Sequence, residues 1–151
     1  MEQKKYELIE GSEIMHEGRK LYRIRALQNW KYVKVGDIGG YVEGFHNLSG
    51  DAWIEDTAKV YGRAEVCGDA LILHEAEVYG DARVYGDALV RDTAEVGDRA
   101  QVYGNATVAG EALVTHNAKV YGQAEVTGRV EISLSAMVFG RITVSGVGSI
   151  F

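Results

Sequence analysis

His74 stands eighteen residues after Asp56 and eighteen before Asp92, and His116 stands eighteen after Asp98. An imidazole held against a carboxylate is the core of a general base. Arg99 and Asn117 adjoin the second group. Asp and His are also among the non-glycine residues enriched at positive φ, so turn chemistry accounts for the same positions. Neither histidine falls in a catalytic motif, and no catalytic residue is assigned. A second set joins cations to phenols: Arg83, Arg91, Arg99 and Lys119 with Tyr85, Tyr103 and Tyr121. Stacking on tyrosine together with arginine on phosphate is the chemistry a nucleotide ligand needs. The expected ligand-binding residues are therefore His74, Arg83, Tyr85, Arg91, Arg99, Tyr103 and His116. Cys67 has no second thiol in the chain, and no spacing suggests a structural zinc site. Neither metal nor cofactor is expected.

The spacing of these residues follows from a stricter period. Residues 51–151 divide into seventeen consecutive hexads, the last lacking its sixth residue, with no insertion. The fourth position is always Val or Ile, from Ile54 to Ile150, and the second is Ala in fourteen of the seventeen. Helices need apolar spacings of three and four, whereas these alternate two and four. Ala-x-Val places two apolar side chains on one side of a short strand, and the Gly or Asp that follows is a turn signal. Segments opening VCGDA, VYGDA, VYGNA, VYGQA and VFGRI recur every eighteen residues, from Val66 to Val138. Three strands per coil make a triangular prism, an all-β parallel β-helix with coils about 4.8 Å apart. Val42 and Leu48 carry the frame back to residue 39, so the β-helix is expected over 39–151. Residues 1–38 read as a β-hairpin cap, with strands at Tyr6–Ile9 and Leu21–Leu27 and a turn at His16–Arg19.

Three faces A, B and C begin with the hexads at 51, 57 and 63. The outward third position on face A runs Trp53, Leu71, Leu89, Thr107, and only this face shows an apolar stripe. Leu73 and the column Cys67, Tyr85, Tyr103, Tyr121, Phe139 at the corner between C and A extend it. Apolar side chains turned away from a filled prism need a partner. A homotrimer burying Trp53, Leu71, Leu73, Leu89 and Tyr121 is the expected assembly. An aromatic ladder stabilising the coils by itself explains the same tyrosines.

The net charge is −6, and the acidic excess lies in the coils. Phosphate backbones need Lys and Arg, so nucleic acid is not an expected partner. No apolar run reaches membrane-spanning length, no signal-peptide pattern is present, and an unpaired cysteine suits a reducing compartment. The expected location is the cytoplasm.

The hexads resemble the hexapeptide-repeat family of left-handed parallel β-helices, and the handedness is implied by that resemblance alone. Its best-known members are homotrimeric acyltransferases with a catalytic His between subunits. Those enzymes usually interrupt the coils with a loop, and here Gly39 to Phe151 is unbroken. The stretch Asp37-Ile38-Gly39-Gly40-Tyr41-Val42-Glu43, then Asn47-Leu48-Ser49 and Asp51-Ala52-Trp53-Ile54, is similar to the entry segment of YdcK-like β-helix proteins. Similar chains with a VYGDA-type repeat occur in prophages and phages, where small oligomers include sponges for nucleotide signals of bacterial immunity. The resemblance implies a non-enzymatic, phage-type homotrimer that sequesters a nucleotide-type ligand in clefts between subunits, in the cytoplasm of a bacterial host. A structural or protein-binding module and a hexapeptide-type acyltransferase are the alternatives.

Overall fold

A computed structural model describes residues 4–151. The hexads form strands at their third and fourth positions, as in Trp53–Ile54, Lys59–Val60 and Glu65–Val66. Each pairs in parallel with the strand one coil on: Leu71 opposes Leu89, Glu77 opposes Glu95, and Arg83 opposes Gln101. Face A is a sheet of six strands from Trp53–Ile54 to Thr143–Val144, and face C one of five from Glu65–Val66 to Met137–Val138. Face B runs from Lys59–Val60 to Val147–Ile150 and continues into the N-terminal strands. The molecule is an all-β parallel solenoid with eighteen-residue coils, as the period predicts.

Backbone bonds between coils hold the stack. The amides of Asp51, Trp53 and Glu55 donate to Gly68, Ala70 and Ile72 at 2.8, 3.1 and 2.8 Å. Alanine and valine fill the interior, and Ala58, Val60, Ala64, Val66, Ala70 and Ile72 are wholly buried. Burying one such valine contributes roughly 1.5–3 kcal/mol relative to leaving it exposed. Every sixth residue from Gly50 to Gly146 has positive φ, including Asp56, His74, Asp92, Asp98, His116 and Leu134.

Four strands begin the chain: β1 (Tyr6–Leu8), β2 (Ile14–His16), β3 (Arg19–Ala26) and β4 (Ile38–Val42). β2 and β3 form a hairpin whose turn uses Glu17 and Gly18 at positive φ. β3 pairs antiparallel with β1 and β4, and β4 pairs in parallel with Lys59–Val60. The cap thus extends face B and ends its edge with antiparallel strands. Tyr6, Ile24, Ala26 and Val33 join the same core as the coils. Buried Asn47 completes the entry turn. Its Oδ1 accepts from the amides of Glu43 and Gly44 at 3.0 Å, and its amide donates to the carbonyls of Gly62 and Ala64 at 3.3 and 2.9 Å.

One expected interface residue is placed differently. Trp53 is 2% exposed, because the segment between β3 and β4 folds over the start of face A. Trp30 meets Trp53 edge to face at 5.3 Å and donates its indole N–H to the Asp51 carbonyl at 3.1 Å. Trp53 is therefore covered within the chain and is not available to a second copy.

Close approach at β4 depends on glycine. A Cβ on Gly40 would lie 2.4 Å from the Ala58 carbonyl oxygen and 2.6 Å from Ile54 Cγ2. Gly40→Ala is expected to destabilise the chain by about 1–3 kcal/mol through overpacking. Urea unfolding measures this, and an unchanged midpoint would show that β4 shifts freely.

Candidate functional site

The corner between faces C and A is filled by an aromatic ladder. Tyr85 stacks on Tyr103 and Tyr103 on Tyr121, both at 4.9 Å, and Tyr121 stacks on Phe139 at 5.2 Å, with interplanar angles of 2°, 1° and 11°. Coil spacing and ring-stacking distance nearly coincide, so identical side chains one coil apart meet face to face. Both faces of Tyr103 are occupied, which leaves its edge outward. This corrects the expectation that a base stacks on Tyr103. Burial, then Tyr85 and Tyr121, raises the Tyr103 phenol, so it stays protonated. Tyr85 donates its hydroxyl to Gln101 Oε1 at 3.1 Å. Arg83 Nε lies 3.6 Å from Glu65 Oε2, an exposed pair worth little. Cys67 at the foot of the column has its thiol raised, first by burial and then by Glu65, which disfavours a nucleophilic thiolate.

At the corner between A and B, Asp56, His74 and Asp92 lie one above another. Their side chains reach the backbone amide of the next coil. Asp56 Oδ2 accepts from the His74 amide at 3.3 Å, His74 Nδ1 accepts from the Asp92 amide at 3.2 Å, and Asp92 Oδ2 accepts from the Gly110 amide at 2.9 Å. Asp98 Oδ2 does the same for the His116 amide at 3.1 Å. With their positive φ, these contacts identify Asp56, His74, Asp92 and Asp98 as corner residues that cap the next coil, while His116 shares the φ and has its Nδ1 3.0 Å from Thr115 Oγ1. His74 Nδ1 also lies 3.2 Å from Asp92 Oδ1, so both of its contacts are to the corner residue one coil on. Arg91 Nη1 lies 3.2 Å from Asp92 Oδ2. The Gly110 amide, then Arg91 and His74, hold the Asp92 carboxyl below its ordinary range, against a smaller opposing effect of burial.

The corner between B and C carries the recesses. His116, Arg99, Asp98 and Asn117 line a hollow of about 180 Å³, as their register predicts. Lower down, the β2–β3 hairpin bends over the corner. His16 Nε2 lies 2.8 Å from Glu77 Oε1, and the Tyr61 hydroxyl donates to the same oxygen at 2.8 Å. The His16 ring meets Tyr61 edge-on at 5.2 Å, and Tyr61 stacks on Tyr79 at 5.6 Å. Glu17, Tyr61, Glu77, Tyr79 and Glu95 line a recess of about 460 Å³. On the other side of the hairpin, Arg19, Glu43, His46, Arg63 and Asp81 border a second one of about 350 Å³. Burial, then Glu77, raises the Tyr61 phenol, while burial, then Glu95, pushes Tyr79 up to about 12. A Cβ on Gly97 would lie 2.3 Å from Tyr79 Cε2, so Tyr79 holds its position only below a glycine.

The predicted ligand residues therefore fall into three groups: His74 with Arg91, Arg83 with Tyr85 and Tyr103, and Arg99 with His116. The hairpin recess is the part that the sequence reading misses. Its available signal was the fifth-position pair Tyr61 and Tyr79, each one coil below a glutamate, Glu77 and Glu95. Nothing local announces that His16 reaches them. Among the described residues, no group of three or more His, Cys, Asp or Glu is placed to hold a metal ion. Nor is any helix there long and apolar enough to cross a membrane.

The Asp92 cap carries a pH signature. A lowered folded value means that the fold favours the ionised form. The stabilisation is complete above the ordinary Asp range near 4 and is lost as pH falls through the lower folded value. Asp92→Ala is expected to be less stable than the parent near neutral pH, with the gap narrowing below about pH 4. Urea unfolding across that range tests it, and a pH-independent gap would exclude a charged cap.

Residues 76–92 and 100–115 match the YdcK beta solenoid repeat. A comparison with the curated proteins gives no match. Coil pairing and the two repeat matches agree on one statement: this chain is a parallel β-solenoid, and two stretches of its coils are similar to the YdcK beta solenoid repeat.

Proposed function

We propose that the chain is a non-enzymatic binding module, a homotrimer that sequesters a nucleotide-type ligand between neighbouring copies. The observation that carries this reading is the pair of corners flanking face A. One bears His74 and Arg91, and the other Tyr85, Tyr103 and Arg83. Three prisms packed about a threefold axis on face A bring the first corner of one copy against the second corner of the next. Cations and phenols that are apart in one chain then meet in one cleft. Half-buried Leu71, Leu73, Leu89 and Tyr121 supply the apolar contact above the Trp30 cover. Because Tyr103 shows only its edge, the base would lie along the ladder rather than between its rings. Arg99 and His116 occupy the opposite corner, outside such a trimer, and leave the ligand set.

The unbroken coils support binding over turnover, since no excursion encloses a reacting substrate. The resemblance to prophage-encoded β-helix proteins supports sequestration as the role. Light scattering is expected to give a trimer, with Leu89→Lys shifting it towards monomer. Calorimetry against cyclic and ADP-ribose-type nucleotides is expected to show saturable binding that Arg91→Ala weakens by about ten-fold. The nucleotide is recovered unchanged. A monomer at all concentrations, or no heat from any of the nucleotides, would overturn the proposal.

A further inference from the structure

The hairpin recess lies on face B and the B/C corner, away from face A, and the proposed trimer makes no use of it. Side chains at equal hexad positions stand opposite one another on adjacent strands, and like charges there are destabilising. Elsewhere the columns alternate, as in Arg63 with Asp81, Glu65 with Arg83, and Glu111 with Arg129, or lysines of the N-terminal cap answer them: in the column Asp51, Asp69, Asp87, Lys5 pairs with Asp51 and Lys31 with Asp69. Glu77 and Glu95 stand directly in register and break that pattern. No Lys or Arg is paired with either among the described residues. Lys59, in register below Glu77, instead donates its ammonium to the Thr57 carbonyl at 3.2 Å. The partners of the two glutamates are the Tyr61 hydroxyl, the Tyr79 hydroxyl and His16. Glu17 at the hairpin tip adds a third carboxylate to the rim.

The walls narrow the occupant. Two phenol rings line a recess of about 460 Å³, within the range of about 300–1,000 Å³ usual for small organic ligands. A bare metal ion needs a tight set of donors, and none is present among the described residues. The recess suits a cation that carries carbon: a charged head between carboxylates and an apolar body against tyrosine. Gly97, which leaves room for Tyr79, makes that wall possible.

We infer that the recess under the β2–β3 hairpin binds a small organic cation of the alkylammonium or guanidinium class, with its charged head between Glu77 and Glu95. The cation sets a positive charge between two in-register carboxylates, where the Lys59 ammonium, turned to the Thr57 carbonyl, is not paired with them, so binding relieves a repulsion built into the register. The source is either a free amine or a basic side chain of another protein. Both present the same head group.

Calorimetry on the full chain tests this with putrescine and agmatine, with butanediol as the neutral control and a short lysine peptide as a second arm. Saturable binding of the amines, absent with the diol, is expected. Glu95→Gln should weaken it by about ten-fold or more. Without ligand, Glu95→Gln should melt no lower than the parent, because it removes a like-charge contact. Tighter binding of the peptide than of the amines assigns the recess to a protein side chain, and the reverse assigns it to a free amine. No saturation by amine or peptide up to about 10 mM would overturn the inference. So would binding that Glu95→Gln and Glu77→Gln both leave unchanged. Neither result bears on the nucleotide cleft, which is read separately through Arg91→Ala.

Discussion

Closing a three-sided coil requires the backbone to enter the left-handed region once per corner, and this recurs at every sixth residue from Gly50 to Gly146. For residues other than glycine that conformation costs roughly 1–2 kcal/mol. Glycine meets the requirement at most corners. Where Asp56, His74, Asp92 and Asp98 take its place, their side chains accept the corner amide of the next coil. A hydrogen bond of that kind contributes about 1 kcal/mol net, comparable with the backbone cost. The polar corners are thus explained by the geometry that closes the coil, before any catalytic role is considered. Leu134 has the same backbone without such a bond, and nothing in the structure explains it.

Once the corners are fixed, register governs the surface. A residue meets its own kind one coil away, so each column amplifies whatever interaction identical side chains have. Tyrosines gain from this and form a ladder in which every inner ring is sandwiched. Carboxylates lose by it, and the columns of Arg63, Glu65 and Glu111 alternate in sign accordingly. A registered pair such as Glu77 and Glu95 stands out against that background. The column Asp51, Asp69, Asp87 also keeps like charges in register, but Lys5 and Lys31 pair with its first two members. A registered pair left without a Lys or Arg is the kind of local departure expected of a binding surface.

The coils were legible because their determinants are local and repeated. Hexad position alone identifies the strand, the buried Ala and Val and the corner, and the eighteen-residue register places His74 between Asp56 and Asp92. Contacts contributed by the cap were not legible. Trp53 occupies an outward position by its hexad, yet Trp30 covers it from a segment with no repeat. The strand Ile14–His16 is too short to show alternation, and its meeting with Glu77 spans sixty-one residues. Tyr103 is a different case. A self-stabilising ladder is one of two readings of its column, and the stacking on both of its ring faces at 4.9 Å favours that one over a base between the rings.

A stack of near-identical coils offers near-identical surfaces along each face, and a specific ligand needs some place where that equivalence is broken. The cap breaks it. β3 ends the sheet of face B with an antiparallel neighbour, and the hairpin that precedes β3 carries His16, Glu17 and Arg19 onto the B/C corner. These are side chains that no hexad supplies at positions that no hexad reaches. His16 also lies against Tyr61, the first ring of its column, and Gly97 replaces the ring that would have been third. The recess is therefore bounded below by the cap and above by a missing side chain, and this confines it to two coils of an otherwise continuous surface. Face A is covered only at its base, by Trp30, and stays repetitive above it, which suits contact with another copy. One face thus keeps the periodicity that the proposed assembly would use, while the corner opposite it loses periodicity where the proposed cation site lies.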